Sequence, residues 1–472
     1  MGKTENVVFL SLVLDLFAFT IPLPLFPRII EWYTVRESAD PSGFLSRTLQ
    51  FVSSVRGLFY QSAQNSQRWD VVLLGGLMGS VFSTLQFLVA PQIGALSDKY
   101  GRRRILLITM AGNILSALVW VQSTSFASYM LSRVIGGLSE GNVQLAIAIL
   151  SDISTPANRS KALAHVGIAF AICFCIGPPI GAYFASQPIP PAVSAWGTEL
   201  NIYALPAILT LVLLVVETLF LAVALPETRN RKPPTEINDN STADVKLNGT
   251  SKSSSTRPSV QERLENLKVS RRLHLLFLGI FSGVEFTLTF LTFDLFDWSN
   301  RQNGALIGSI GIISALLQGG YVRRAISGVG EGKMARRGVS SCAIGLVLLA
   351  IVPQFVSSQP TIAIRLLQGA AVCMAFTSAT VVNSLTSFAS LQCDEGVDKD
   401  TGKPTQEHPE LAKGKALGQF RSSGQLGRAI GPLLACASYW TFGPSITYAV
   451  SGVAMLALSV SMRSVAVAPR DS

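Results

Sequence analysis

Ionised side chains are scarce in this chain. Only 14% of its 472 residues are Asp, Glu, Lys or Arg, where a soluble protein of this size carries about a quarter. Yet 49% are hydrophobic and the mean hydropathy is +0.42, which excludes an ordinary soluble core. Histidine is rarer still: His165, His274 and His408 are the only three. They are too scattered for a metal cluster, so no metal and no cofactor are expected. A nucleotide loop is missing too. SGVGEGKMA, from Ser327, glances at a phosphate-binding loop, but G-x-x-x-x-G-K-[ST] needs glycine at Ser327 and a hydroxyl at Met334. No catalytic constellation replaces it, and an enzyme is not expected. Disulfides are absent by placement. Cys173, Cys175, Cys342, Cys373 and Cys436 fall in apolar runs and Cys393 in a loop of the basic side.

What is abundant is apolar sequence in runs of about 20 residues, the length that crosses a bilayer. The runs predict twelve spans: 7–30, 71–93, 104–122, 127–150, 162–184 and 203–225, then 274–296, 303–322, 339–357, 361–382, 416–439 and 444–463. The expected organisation is a helical bundle over 1–225, a polar linker over 226–272 (NDNSTADVKLNGTSKSSSTRPS) that reads as disordered, and a second bundle over 273–472. Short loops set the orientation. Lys99 and Arg102 to Arg104, Arg159 and Lys161, and Arg323, Arg324, Lys333, Arg336 and Arg337 mark one side. The loops of the other side hold almost no cations. The long first loop is an exception, with Arg36, Arg47, Arg56 and Arg68. Both termini and the linker are therefore expected in the cytoplasm, of a plasma membrane or endomembrane protein. Sequons at Asn158, Asn240 and Asn248 then face away from glycosylation, and no cleavable signal peptide is expected. The +10 net charge follows from this topology and from attraction to the lipid bilayer, so no nucleic-acid partner is predicted.

Between spans 2 and 3 lies GALSDKYGRRRILL, Gly94 to Leu107. Gly94 permits close helix approach, Asp98 can cap or pair with cations, and Arg102, Arg103 and Arg104, after Gly101, hold the loop at one face. The G-x-x-x-D-x-x-G-R-R-R spacing resembles the signature loop of the major facilitator superfamily. LSRVIGGLSEGN, with Arg133, is similar to that family's arginine motif. CIGPPIGA, with Gly177, Pro178 and Gly181, is similar to the glycine-proline motif of its antiporters, and LPETR resembles its closing Pro-Glu-Thr. VLDLFAFTIPLPLFP in span 1 resembles the opening of tetracycline–proton antiporters. The resemblance implies an all-α polytopic protein of twelve transmembrane helices in two pseudo-symmetric six-helix bundles. There are departures: GGYVRRAISGVGEGKMARRG, the second-half counterpart of the signature loop, has lost its aspartate. The first loop is long, and an acidic insertion (Asp394, Glu395, Asp398, Asp400) follows span 10.

A duplicated phrase supports two related halves. KALAHVGIAFAICFCIGPPIGA at Lys161 and KALGQFRSSGQLGRAIGPLLAC at Lys415 share Lys-Ala-Leu and Ile-Gly-Pro at equal distance. Gly431 and Pro432 thus mirror Gly177 and Pro178, positions where both halves bend or pack closely. Pro22, Pro24 and Pro27 break span 1. The second copy alone carries Arg421, opposite Gly167, and Arg428, opposite Phe174. Arg421 is placed near the basic edge within reach of water, so only Arg428 needs a buried partner.

Charges inside spans cost roughly 2.5–3.5 kcal/mol each and mark candidate sites. Asp15 lies about 12 Å into span 1 at ~1.5 Å per residue, and Arg133 enters span 4 from the opposite side. Either the two meet through arginine's long side chain near the cavity wall, or Asp15 snorkels to the inner face. Glu285, about 16 Å deep, and Arg428, about 18 Å deep, share a level and are expected to interact directly or through one water. Glu140 joins the set. Arg365 mirrors Arg133 near the outer edge, where it either binds or snorkels. Glu217 is left out because the resemblance makes its helix peripheral. The expected function is secondary transport of a small organic solute, an organic anion or an amphiphilic drug-like molecule, by proton-coupled antiport in a monomer. A uniporter of a polar metabolite and a transporter-fold scaffold or chaperone stay open as alternatives.

Overall fold

The computed structural model describes residues 2–22, 25–37, 40–59, 66–187, 200, 203–229, 258–298, 300–394, 396–397, 404–405 and 408–463. Pro24, most of the polar linker with Asn240 and Asn248, and Glu395, Asp398 and Asp400 lie outside them, as do the side chains of Pro27, Arg56, Arg68 and Arg301.

Hydrophobic runs become helices because a backbone without water must bond to itself. The first half holds α1 (Lys3–Thr20), α2 (Phe26–Arg36), α3 (Phe44–Phe59), α4 (Ser66–Tyr100), α5 (Arg102–Val121), α6 (Phe126–Ser139), α7 (Asn142–Ile153), α8 (Pro156–Ala185) and α9 (Ala204–Ala224). The second holds α10 (Val260–Phe296), α11 (Asn300–Leu316), a π turn (Leu317–Val322), α12 (Arg323–Val329), α13 (Glu331–Phe355), α14 (Pro360–Gln392) and α15 (Lys413–Ser461). A two-residue bridge, β1 (Gly396–Val397) against β2 (Pro404–Thr405), is the only sheet among the described residues. Among the described residues, ten helices are long and apolar enough to cross a membrane. One of them, α15, runs 49 residues and turns at Gly443 (φ 81°), so it crosses twice. With α1 the crossings number twelve, in two six-helix halves.

Several boundaries depart from the hydropathy reading. Span 4 is two helices. Its SEGN stretch unwinds at Glu140 (φ −70°, ψ 100°) and restarts at Asn142. Span 8 widens into the π turn around Gly319 and Gly320. The linker is shorter than 226–272, because α10 begins at Val260, capped by the Ser259 hydroxyl, and Arg263 donates from it to the carbonyl of Gln392 at 2.8 Å. Polar residues lengthen this helix beyond its apolar run, since hydropathy marks burial in lipid and not helix length. The long first loop is also structured. Tyr33 of α2 is fully buried among Trp120, Phe126 and Tyr129, and its hydroxyl donates to the Ser123 carbonyl at 2.8 Å. Arg36 stacks on Trp32 at 5.3 Å.

Two close approaches fix the basic-loop face. Gly101 takes a left-handed φ of 104° that turns α4 into α5. There the Glu227 carboxylate caps α5, accepting from the backbone of Arg102 at 2.9 Å and Arg103 at 3.2 Å. Burial pushes the Glu227 carboxyl up, but backbone N–H donors from Arg229, Arg102, Arg103 and Thr228 outweigh it and hold the group below its usual value. A carboxyl depressed in the folded state stabilises above its unfolded pKa and loses that contribution as pH falls. Glu227→Gln should therefore lower the thermal midpoint of the detergent-solubilised protein at neutral pH. The gap to wild type should close as pH drops below the ordinary glutamate value of 4.5; a gap independent of pH contradicts the capping role.

Candidate functional site

The two halves meet on the basic-loop face through a carboxylate and a helix end. Asp98, at the end of α4, accepts from the backbone of Gly414 at 2.9 Å and Lys415 at 2.7 Å, in the first turn of α15. The unsatisfied N–H groups and dipole of a helix N-terminus favour an anion there. Arg102 holds Asp98 at 2.7 Å and donates to Asp152 at 3.0 Å. Asp152 in turn meets Lys413 of the second half at 3.4 Å. Arg159, only 1% exposed, reaches Asp394 at 2.5 Å, and Ser160 donates to Glu331 at 2.5 Å. Gly94 lies directly against the Gly414 backbone, where a Cβ has no room. The first-half face is thus shut against the second.

Deeper in the molecule the break between α6 and α7 builds the centre. Restarting at Asn142 turns its amide toward α1, where it donates to Asp15 Oδ1 at 2.6 Å, while Thr109 donates to its Oδ1 at 3.0 Å. Asp15 is 5% exposed. Glu140, in the unwound turn, engages Asn113 and shares the electrostatic environment of Asp15 and Arg421. Arg421, from α15 of the other half, is a half-buried cation interacting with both carboxylates. Unwound membrane helices at the midplane are where transporters bind solutes, because freed backbone groups are tolerated only beside a cavity.

Some sequence expectations need correction here. Arg133 does not meet Asp15: its guanidinium lies 5.6 Å from the ring centroids of both Trp120 and Tyr129. Those rings face it across α5 and α6, while Asn142 already occupies Asp15. Glu285 and Arg428 interact electrostatically without a direct ion pair, and both are exposed although surrounded by helices, so they line open space in the bundle. Arg421 is half-buried and interacts with Glu140 and Asp15, so Arg428 is not alone in having a buried partner. Glu217 is not peripheral: it is 1% exposed, its Oε2 has no hydrogen-bond partner, and Asp15 and Glu140 are its electrostatic neighbours. Arg365 is exposed near the start of α14.

The repeated motif glycines act by close packing. Gly177 and Gly181 of α8 lie against Thr20 and Ile21 at the end of α1, and Gly431 lies against Gly279 of α10. Pro178 and Pro432 sit inside helices that continue through them. Residues the sequence reading passed over include Asn142, Asp152, Arg159 and Lys413. The polar run SEGN inside an apolar span was the available signal for the first, but Asp152 and Arg159 looked like ordinary loop charges.

Each Asp98 bond to a backbone N–H contributes about 1.5–3 kcal/mol. Asp98→Asn or Gly94→Val should therefore open the basic-loop face by a tenfold or greater population shift, about 1.4 kcal/mol per decade. Spin labels at exposed Lys99 and Lys333, one in each half, would report longer distances in the variants; distributions identical to wild type would contradict the clasp.

Comparison with known proteins gives one consistent picture. The Major Facilitator Superfamily model matches residues 8–396. "Major facilitator superfamily domain-containing protein 10" from Mus musculus is 34% identical over 95% of this chain and 90% of its own length, and the Bos taurus protein is 35% identical over 96% and 91%. The crystal structure of the human organic anion transporter MFSD10 (TETRAN) superposes with a TM-score of 0.77 at 30% identity, covering 98% of this chain and 99% of that one. The proton:xylose symporter XylE shares the fold, with a TM-score of 0.61 at 13% identity. The Pasteurella multocida class H tetracycline resistance protein is 32% identical over 22% of this chain. By family, fold and close relatives, the chain is a membrane transporter, not an enzyme, and belongs to the Major Facilitator Superfamily.

Proposed function

We propose that the protein is a proton-coupled transporter of small organic anions that works by alternating access as a monomer, with both termini in the cytoplasm. The carrying observation is Arg421, a cation of the second half that faces Asp15 and Glu140 of the first. A substrate anion would compete with those two carboxylates for the guanidinium, and Arg428 offers a second cation deeper in the same helix. The human relative's description as an organic anion transporter supports the same substrate class.

The geometry also bears on coupling. When an anion draws Arg421 away, Asp15 and Glu140 lose their cation, and a desolvated carboxylate without a cation binds a proton. Anion and proton would then bind together and move in one direction. The antiport implied by the sequence resemblance fits an amphiphilic cation instead, which would replace the proton on the carboxylates.

The test is uptake in proteoliposomes with an imposed pH gradient, organic anions and cations run side by side. Arg421→Gln and Asp15→Asn should each reduce gradient-driven anion uptake about tenfold or more. Glu285→Gln should abolish the gradient's effect with expression retained. Anion flux indifferent to the pH gradient would favour a uniporter, and no flux of any solute would favour a scaffold.

A further inference from the structure

The helix α9 is almost wholly apolar, and its single ionisable side chain points inward. It reads ALPAILTLVLLVVETLFLAVA, with Glu217 the only charged residue. Thr210, Leu214, Glu217 and Leu221 are buried along one stripe, while Val212, Val216, Leu219 and Val223 face outward. Glu217 follows Thr210 by two helical turns and so shares its face. Thr210 donates to the Ala18 carbonyl of α1 at 3.5 Å, which sets the register of this antiparallel pair. Counted from that contact at ~1.5 Å per residue, Glu217 lies about 10.5 Å toward the basic-loop face and Asp15 about 4.5 Å. Glu217 is therefore about 6 Å nearer that face than Asp15. Beyond it, at the end of α9, Arg103 donates to the Ala222 carbonyl.

Nothing nearby balances a charge on this carboxyl. Glu217 is 1% exposed, its Oε2 has no hydrogen-bond partner, and its electrostatic neighbours are two further carboxyls, Asp15 and Glu140. Those two have partners of their own: Asn142 donates to Asp15, Asn113 engages Glu140, and Arg421 interacts with both. The helices packed on α9 are α1, α5 and α8. Besides Asp15, α1 brings only Lys3 and Glu5, in its first turn. In α5, Arg102 is held by Asp98 and Asp152, Arg103 by the Ala222 carbonyl, and Arg104 is exposed. In α8, Arg159 is held by Asp394, Lys161 is exposed, His165 meets the Ala162 carbonyl, and the Cys173 thiol donates to the Val13 carbonyl. An ionised carboxylate buried without a cation is costly to keep, whereas the neutral acid is not.

We propose that Glu217 is a proton relay: it holds a proton while Arg421 engages Asp15 and Glu140, and passes protons from that pair to the basic-loop side. The relay rests on the proton-coupled reading given above. When the basic-loop face opens, Glu217 releases its proton to water. It then takes the proton from Asp15, directly or through one water, as the substrate anion leaves and Arg421 returns to the Asp15 carboxylate. One carboxyl is protonated as the other ionises, so the transfer leaves the net charge of the centre unchanged. Glu217 acts without touching the substrate.

The experiment compares two fluxes of labelled naphthalenesulfonate, an organic anion that carries no proton of its own, in proteoliposomes of the full-length protein. One is uptake driven by a proton gradient. The other is exchange of labelled for unlabelled anion at equal pH, which needs no net proton movement. Glu217→Gln keeps the shape and neutrality of the protonated acid, so exchange and the thermal midpoint should match wild type. Driven uptake should fall about a hundredfold, the lower end of what a positioned proton-transfer group contributes. Glu217→Asp keeps an acid and should restore most of the driven uptake, with a displaced pH profile. Driven uptake unchanged in Glu217→Gln, or exchange lost along with it, overturns the relay. Should Glu217→Gln not fold, a wild-type pH profile in Glu217→Asp overturns it instead. Wild-type uptake that is absent or indifferent to the gradient overturns proton-coupled anion transport itself, and the relay with it.

Discussion

Asp98 accepts two backbone hydrogen bonds from the first turn of α15, and through them the first half grips a helix end of the second. Much of the basic-loop face is arranged around that contact. Arg102 fixes the carboxylate's direction, Glu227 fixes Arg102 by capping the helix it begins, and Gly101 supplies the turn that brings all three together. Gly94 and Gly414 then allow the backbones to approach closely enough for the bonds to form. A few charge-assisted bonds are strong enough to hold a face closed yet weak enough, at a few kcal/mol in total, to release within a transport cycle. Beside the packed backbones, polar contacts also cross between the halves on this face: Asp152 to Lys413, Arg159 to Asp394, Ser160 to Glu331.

The same helix that carries the clasp at its first turn carries the charges of the centre farther along. Arg421 and Arg428 are therefore mechanically joined to Lys413, Gly414 and Lys415. One continuous helix thus connects Arg421 to the residues that bond Asp98. The asymmetry between the halves has a local cause. Gly167, the counterpart of Arg421, lies against the side-chain ends of Gln318 and Asn383, which a longer side chain would have to displace. Arg421 instead meets the turn unwound at Glu140, where the first half offers carboxylates.

Much of the architecture was legible because lipid imposes simple rules. Twelve apolar runs became twelve crossings, and the signature loop placed Gly94, Asp98 and Arg102 where the halves meet. The centre was read less well. Depth along a helix can be counted, but direction around it cannot, so Arg133 was assigned to Asp15 when its face of α6 turns to Trp120 and Tyr129. Arg421 was misjudged for the opposite reason: its depth suggested water, while a tertiary break in another helix supplied its partners. Glu217 was misplaced because an average family position says nothing of which way one side chain points.

The central claim is that Arg421 is shared between the protein's own carboxylates and the substrate. It is tested most directly by measuring proton exchange on binding, with a pH indicator in weakly buffered solution as an organic anion is added to the purified protein. The account predicts uptake of about one proton per anion bound, since desolvated Asp15 and Glu140 bind a proton once their cation is withdrawn, and no uptake in Arg421→Gln. Proton release on anion binding, or uptake that persists without Arg421, would contradict it.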